Sequence, residues 1–272
     1  MTTDTIAVAV RADRDGQGVT GRRVLRSELS KFLSLRSSWI TLGASVAVLV
    51  AFGVIAAAVY RPPGADATGT PDDPVGLALT GAGVTGLIVG VLGVMMSAGE
   101  YSTGMVRSTY VAVPRRWPVL ASKSAVIGSL VLVLTAVAAV VTFGLGAASL
   151  RGDDIALSLG DEGVLRGLVG AGVYLALFAV FGVALGTLIR SASGSIAALV
   201  GLLMLLPGLT ALLPDSLQDA VERYAPGNAG SAIYALHKAS DSLSPGAGLA
   251  VFAAWVAVAL GAAAIRLKRS DV

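Results

Sequence analysis

Apolar residues run along this chain in long uninterrupted blocks, not at the short periods of a soluble fold. Six stretches, 39–60, 76–98, 124–149, 167–189, 192–213 and 247–265, contain no Asp, Glu, Lys, Arg or His. A hydrocarbon layer of about 30 Å needs roughly 20 residues at a rise of ~1.5 Å each. Each block is therefore read as a membrane-spanning helix. Barrel strands fit poorly, because they are about 10 residues long and alternate in polarity. A helix also satisfies its own backbone groups, which hydrocarbon requires. The pattern predicts an all-α membrane protein with six transmembrane helices over 39–265.

The polar blocks differ from one another. Residues 1–20 carry a single short apolar run, Ile6 to Val10, followed by Arg11, Asp13, Arg14 and Asp15. That run is too short for a signal-peptide core and no small-residue cleavage site follows it, so a disordered cytosolic tail is expected. The first span then acts as its own insertion signal. In 21–38, Leu25, Leu29, Phe32 and Leu33 share one helical face, while Arg22, Arg23, Arg26, Lys31 and Arg36 lie largely elsewhere. This predicts an amphipathic helix at the membrane interface, with its basic residues near anionic lipid. Trp39 follows at the boundary, where indole rings are favoured. In 214–246, Asp215-Ser216 is expected to cap a short helix with Leu217, Val221 and Tyr224 on one side. Pro226-Gly227 should end it, and a second apolar stripe, Ile233 with Leu236, follows. These short helices are expected to rest on the outer surface between the fifth and sixth spans. Pro207 and Pro214 bracket the end of the fifth span, where proline breaks or kinks a helix.

Composition narrows the class. Charged residues are 14% of the 272, against about 25% in a soluble domain, and the mean hydropathy is +0.79. The net charge of +3 conceals a separation. With the N-terminus inside, segments 1–38, 99–123, 190–191 and 266–272 hold 15 basic and 6 acidic residues, and the outer segments hold 5 and 11. The positive-inside rule then places both termini in the cytosol, with 266–272 a cytosolic C-terminal tail.

Several chemistries lack their residues. No cysteine is present, so thiol nucleophiles and zinc–cysteine sites are excluded. One histidine, His237, cannot supply a His-Glu-x-x-His metalloprotease site. It lies beside Lys238 in an outer segment, so a solvated or interfacial residue explains it better than a catalytic one. Aspartyl intramembrane proteolysis needs aspartates within spans, and the spans have none. The same lack of ionisable groups weakens proton coupling. No Gly-Lys pair occurs anywhere, so the chain has no P-loop. Gly86 with Gly90, and Gly182 with Gly186, are small-xxx-small pairs; intramolecular packing is the preferred reading over a dimer seam. Thr80, Thr85, Thr135, Thr142 and Thr210 are read as bonding their own helix backbones.

The segment 99–123 carries the most specific pattern. Glu100 and Tyr101 close the second span, Ser102-Thr103-Gly104 turns the chain, and 105–113 suits a short helix on the membrane face. Pro114 stops it, Arg115 and Arg116 add charge, and Trp117 anchors the third span. Read alone, it is also an ordinary basic loop satisfying the positive-inside rule. The order Glu100-Tyr101-Ser102-Thr103-Gly104, Arg107-Ser108-Thr109, Pro114-Arg115-Arg116 resembles the first cytoplasmic loop of permease subunits of type-2 ATP-binding-cassette (ABC) exporters, especially actinobacterial ones. The amphipathic helix before the first span, the six spans and the stretch from Leu213-Pro214-Asp215 to Ala229-Gly230 are similar to that family too. The resemblance covers about residues 21–270.

It implies a multi-pass protein of the bacterial plasma membrane and a dimer, with a second permease copy or paralogue, seated on a separate cytosolic ATPase that binds ATP and Mg. No cofactor is expected in this chain, no catalytic role and no nucleic-acid partner. In that family the loop after the second span holds a coupling helix that docks on the ATPase. By position, Glu100, Tyr101, Gly104, Arg107, Pro114, Arg115 and Arg116 become coupling candidates, with the arginines suited to carboxylates on the partner. Glu100 is expected to contact the preceding basic helix. A path without formal charge suits apolar or amphiphilic cargo. The rival readings are a non-transporting assembly or immunity factor and an ion-coupled carrier.

Overall fold

The computed structural model describes residues 20–61, 73–112, 116–150, 155, 157–210, 212, 214–236 and 242–269. The tail 1–19, Pro114, Arg115, His237 and 270–272 lie outside the described residues. Among the described residues every regular element is helical. Five helices are long and apolar enough to cross a membrane: α2 (Arg36–Val59), α4 (Ala82–Ser102), α6 (Trp117–Ser149), α7 (Val164–Ile189) and α12 (Pro245–Arg269). Helix α1 (Gly21–Ser34) precedes them, and α3 (Pro74–Ala78) and α5 (Met105–Ala112) flank α4.

The expected span 192–213 is helical in three pieces: α8 (Ala192–Val200), a π-helical turn over Gly201–Leu205, and α9 (Leu206–Thr210). Pro207 has no amide to donate back to Leu203, and the helix widens to π register just before it. The second expected span is also divided. Its first part is α3, whose N-cap Asp73 accepts from the Gly76 amide. A turn at Leu79–Gly81 then starts α4, which continues to Ser102.

α6 begins at Trp117, seven residues before its apolar block. At 33 residues it is about 50 Å long at ~1.5 Å per residue, more than hydrocarbon alone would cover. Charged residues outside the apolar blocks thus sit on the ends of continuous helices.

The caps and boundaries of the short helices between 214 and 236 differ in detail from the expectation. α10 (Asp215–Tyr224) is capped by Pro214 in extended conformation, so Asp215 is its first helical residue and not its cap. Pro226 starts the next helix, α11 (Pro226–Ser231), instead of merely ending the previous one. Proline suits a first helical position because its missing amide would have had no partner there. Ile233 lies in the turn after α11 and is buried. Burial pushes the Tyr234 phenol up to about 12.

The core lies between α4, α6 and α7, and α7 is the most enclosed long helix. Phe178 and Tyr174 of α7 meet Phe252 of α12, with ring centroids 4.8 Å and 5.8 Å away. α2 and α12 keep broad apolar faces outward, among them Ile40, Ile55, Val59 and Val258. Such faces are compatible with lipid and would be a liability in water.

The glycines pack helix against helix within the chain. A Cβ on Gly182 would run into the Gly90 carbonyl oxygen, and one on Gly93 into that of Ala179. Gly186 faces the Val94 carbonyl and Gly86 faces Phe178. The α4–α7 crossing is therefore close enough that backbone meets backbone. Thr135 and Thr142 donate to the carbonyls four residues earlier, at 2.7 Å each, as expected of threonines in apolar helices.

Candidate functional site

At the end of the bundle that carries α1 and α5, four charged side chains close a network. Glu28 and Lys31 come from α1, Glu100 from the last turn of α4 and Lys123 from the second turn of α6. Lys31 Nζ lies 2.6 Å from Glu28 Oε1 and 2.9 Å from Glu100 Oε1. Lys123 Nζ lies 2.9 Å from Glu28 Oε2 and 2.9 Å from Glu100 Oε1. It also donates to the Met96 carbonyl at 2.9 Å, and Lys31 reaches Thr109 Oγ1 of α5 at 3.4 Å. Glu28 is 1% exposed, Lys123 4% and Glu100 8%. Two acids and two bases balance, which is the condition under which buried charge is tolerated. Burial of Lys31 works against its charge, but hydrogen bonds and attraction from Glu28 and Glu100 prevail and raise its pKa above the ordinary 10.5. Its share of the network is therefore fully present below that value and is lost only in more alkaline solution.

The network sets the roll of α1. Buried residues Val24, Glu28 and Phe32 recur every four positions and form its inner stripe. The expected apolar face was Leu25, Leu29, Phe32 and Leu33. Of these, Phe32 is fully buried and Leu29 packs on the core, while Leu25 is 43% and Leu33 50% exposed. Arg22, Arg23 and Arg26 are exposed. The helix is rotated from the expectation because Glu28 is drawn inward by Lys123, outweighing the outward placing of two leucines. Trp39 fastens the elbow between α1 and α2: its ring meets Phe32 edge-on at 5.4 Å and its Nε1 donates to the Leu33 carbonyl at 3.3 Å.

A second layer sits beside the network. Gly104, at φ 74°, turns the chain from α4 into α5 in the left-handed region that favours glycine. The hydroxyls of Tyr101 and Tyr110 are 3.1 Å apart. Arg190 covers the Tyr101 ring at 5.2 Å and Arg116 the Tyr110 ring at 5.3 Å. Burial, then the bond to Tyr101, pushes the Tyr110 phenol far up, so it stays neutral and serves as a hydrogen-bonding group. Arg190 ends α7 with φ 62°, a left-handed conformation uncommon for a non-glycine residue. Its Nε and Nη2 are buried with no hydrogen-bond partner among the described residues.

Arg116 also donates to the Leu267 carbonyl at 2.9 Å, satisfying one of the free acceptors at the end of α12. Arg116→Ala is expected to fray that last turn. A charged donor to a carbonyl is worth about 1.5 kcal/mol at the lower end, so amide exchange over 265–269 should speed up about tenfold by mass spectrometry. Unchanged exchange would show that the bond does not hold the helix end.

Between the α1–α2 elbow and α4 lies a cleft of about 370 Å³. Its walls are Leu35, Val91, Leu92, Met95 and Met96, with hydroxyls of Ser37, Ser38, Thr41 and Thr103, and the Lys31–Glu100 pair borders it.

Of the sequence-derived coupling residues, the structure gathers Glu100, Tyr101, Gly104 and Arg116 at one end of the bundle. Arg107 falls in α5, but its side chain is outside the described residues, as are Pro114 and Arg115. Sequence reasoning missed Glu28, Lys123 and Arg190 as members of this site. Glu28 carried a signal, being the one acidic residue in the basic segment 21–38 and four positions from both Val24 and Phe32. Among the described residues no group of three or more acidic, His or Cys side chains is placed to hold a metal ion. Comparison with models of known protein families gives no match, and comparison with curated proteins gives none either.

Proposed function

We propose that this chain is the permease subunit of an ABC exporter, driven by a separate cytosolic ATPase and working with a second copy or paralogue. The reading rests on the resemblance carried by Glu100-Tyr101-Ser102-Thr103-Gly104 and the motifs after it. The observation that supports it most is α5, a short helix held against the membrane-spanning bundle. Gly104 turns the chain into α5, and Thr109 and Tyr110 join it to the network and the tyrosine pair. A force applied to α5 would reach α1 through Lys31, α4 through Glu100 and Tyr101, and α7 through Arg190. That is the linkage a coupling helix needs to convert ATPase closure into tilting of helices.

In this reading the segment 192–210 is the sixth crossing. It leaves α7 beside Ile189 and reaches Glu222 of α10, whose carboxylate accepts from Thr210 at 2.7 Å. The α1 end then faces the cytosol, as its basic residues favour. α1 lies at the inner interface, with Leu25, Leu33 and its exposed arginines toward lipid. The charged network is balanced and sits at the end of the bundle, away from the bilayer midplane where ion-coupled carriers place their sites. That arrangement argues against the carrier alternative.

The test is to look for an ABC-type ATPase gene next to the gene of this chain and to co-express its product with this chain; a neighbourhood without such a gene counts against the assignment. Co-purification is expected, with ATPase turnover that responds to the permease. Arg107→Glu should break that response while leaving the permease folded. An ATPase that neither co-purifies nor changes its turnover would refute the assignment.

A further inference from the structure

We infer that the cleft between the α1–α2 elbow and α4 binds a single-chain amphiphile with an uncharged polar head. This holds whether or not the chain is an exporter subunit. The volume, about 370 Å³, is in the range of small-molecule pockets, roughly 300–1,000 Å³, which are mostly apolar with a few placed polar groups. From Gly99 to Val91 the α4 wall runs about 12 Å at ~1.5 Å per residue, the reach of one chain within one leaflet. Met95 on that wall is 49% exposed, and Leu35 and Met105 at the rim are 47% and 42% exposed. The cleft is thus open along its side, as a site filled from the bilayer would be.

The polar end decides the head. Lys31 contacts Glu28, Glu100 and Thr109, which occupy the three donors of its ammonium. An anionic head would have to displace one of them. Glu100 already faces two ammonium groups, so a cationic head gains little from it. What remains for a ligand is hydroxyl chemistry. Thr103 Oγ1 donates to the Gly99 carbonyl at 2.9 Å and keeps its lone pairs to accept, and Ser37 and Thr41 add groups that both donate and accept. A glycerol-like head matches this set.

The test uses the full chain in phosphatidylcholine nanodiscs with a diazirine-tailed monoacylglycerol, photolysed and mapped by mass spectrometry. Adducts should concentrate on the α4 stretch that holds Met95 and Met96. A Cβ at Gly99 meets nothing within 4 Å, so Gly99→Leu fills the cleft without a backbone clash and should cut the labelling about tenfold. Gly83→Leu, equally unobstructed but away from the cleft, should leave it unchanged. If Gly99→Leu fails to yield a monodisperse protein, Thr41→Leu fills the same space. In competition, unlabelled monolaurin should displace the probe at about tenfold lower concentration than laurate, dodecyltrimethylammonium or lysophosphatidylcholine. Labelling spread evenly over α2, α4 and α12, no effect of either filling variant, or equal competition by all four would overturn the proposal. The last outcome would mean that any alkyl chain suffices.

Discussion

Lys123→Met is expected to destabilise the folded chain by about 3–5 kcal/mol, the usual cost of removing one partner from a buried ion pair. Lys123 is 4% exposed and stands between Glu28 and Glu100, 2.9 Å from each. Methionine fills nearly the same volume, so packing is preserved and the effect is electrostatic. Without the ammonium, two buried carboxylates share Lys31 alone, and the Met96 carbonyl loses its donor. Adding Glu28→Gln restores a balanced Lys31–Glu100 pair and should recover more than half of the loss. Equilibrium unfolding of the single and double variants in one detergent measures both effects. A single variant as stable as the parent, or a double variant that is worse, would show that the four groups do not act as one neutral unit. The spread of the network over α1, α4 and α6 means that the loss should appear first as detachment of α1, since its other holds on the bundle are a short apolar stripe of Val24, Leu29 and Phe32 and the Trp39 contacts at the elbow.

Gly182→Ala should be, with Gly93→Ala, among the most damaging single methyl additions in the bundle, and Gly182→Leu should prevent α4 and α7 from closing. The added Cβ would overlap the Gly90 carbonyl oxygen and crowd the Val94 amide. Those are backbone atoms of a helix, which cannot rotate aside as a side chain can. Overpacking usually costs about 1–3 kcal/mol, and a clash with backbone belongs at or above the top of that range. Gly144→Ala is the matched control. It adds the same methyl to α6 with nothing within 4 Å, and by relieving the helix cost of glycine it should gain up to about 1 kcal/mol. Unfolding free energies of the two variants should differ in sign. Equal effects would mean that the α4–α7 crossing is not as tight as the structure has it.

Much of the architecture was legible because hydrocarbon imposes a simple rule. Charge-free blocks of 19 to 26 residues had to be helices, and five of the six appear as long apolar helices. Boundaries were less legible. The blocks end where charge begins, but Glu100 and Lys123 continue their helices because each charge finds partners on another element. The break in 192–210 was half visible, since Pro207 marked the place, while a π turn in preference to a kink depends on how the freed carbonyls are accommodated. The turn at Ser102-Thr103-Gly104 was legible from local chemistry, whereas its left-handed φ and the Asp73 N-cap came from the structure.

The site was less legible than the fold. Glu100 and Arg116 were singled out by motif, and a contact of Glu100 with the basic helix was expected; Glu28 and Lys123 were not singled out, because they pair across helices far apart in the chain and no local pattern joins them. What the sequence by itself determined was which segments are long and apolar enough to cross a membrane, which polar segments carry the basic residues, and which catalytic chemistries lack their residues. These follow from the transfer cost of charge into hydrocarbon, a property of each residue taken singly. Tertiary structure alone decided which face of α1 turns inward, which glycines lie at the α4–α7 contact, and which four charges neutralise one another. In lipid every face of a spanning helix is apolar, so burial does not select one face over another. Close packing and the pairing of buried charges make that choice, and both depend on atoms brought together from distant parts of the chain.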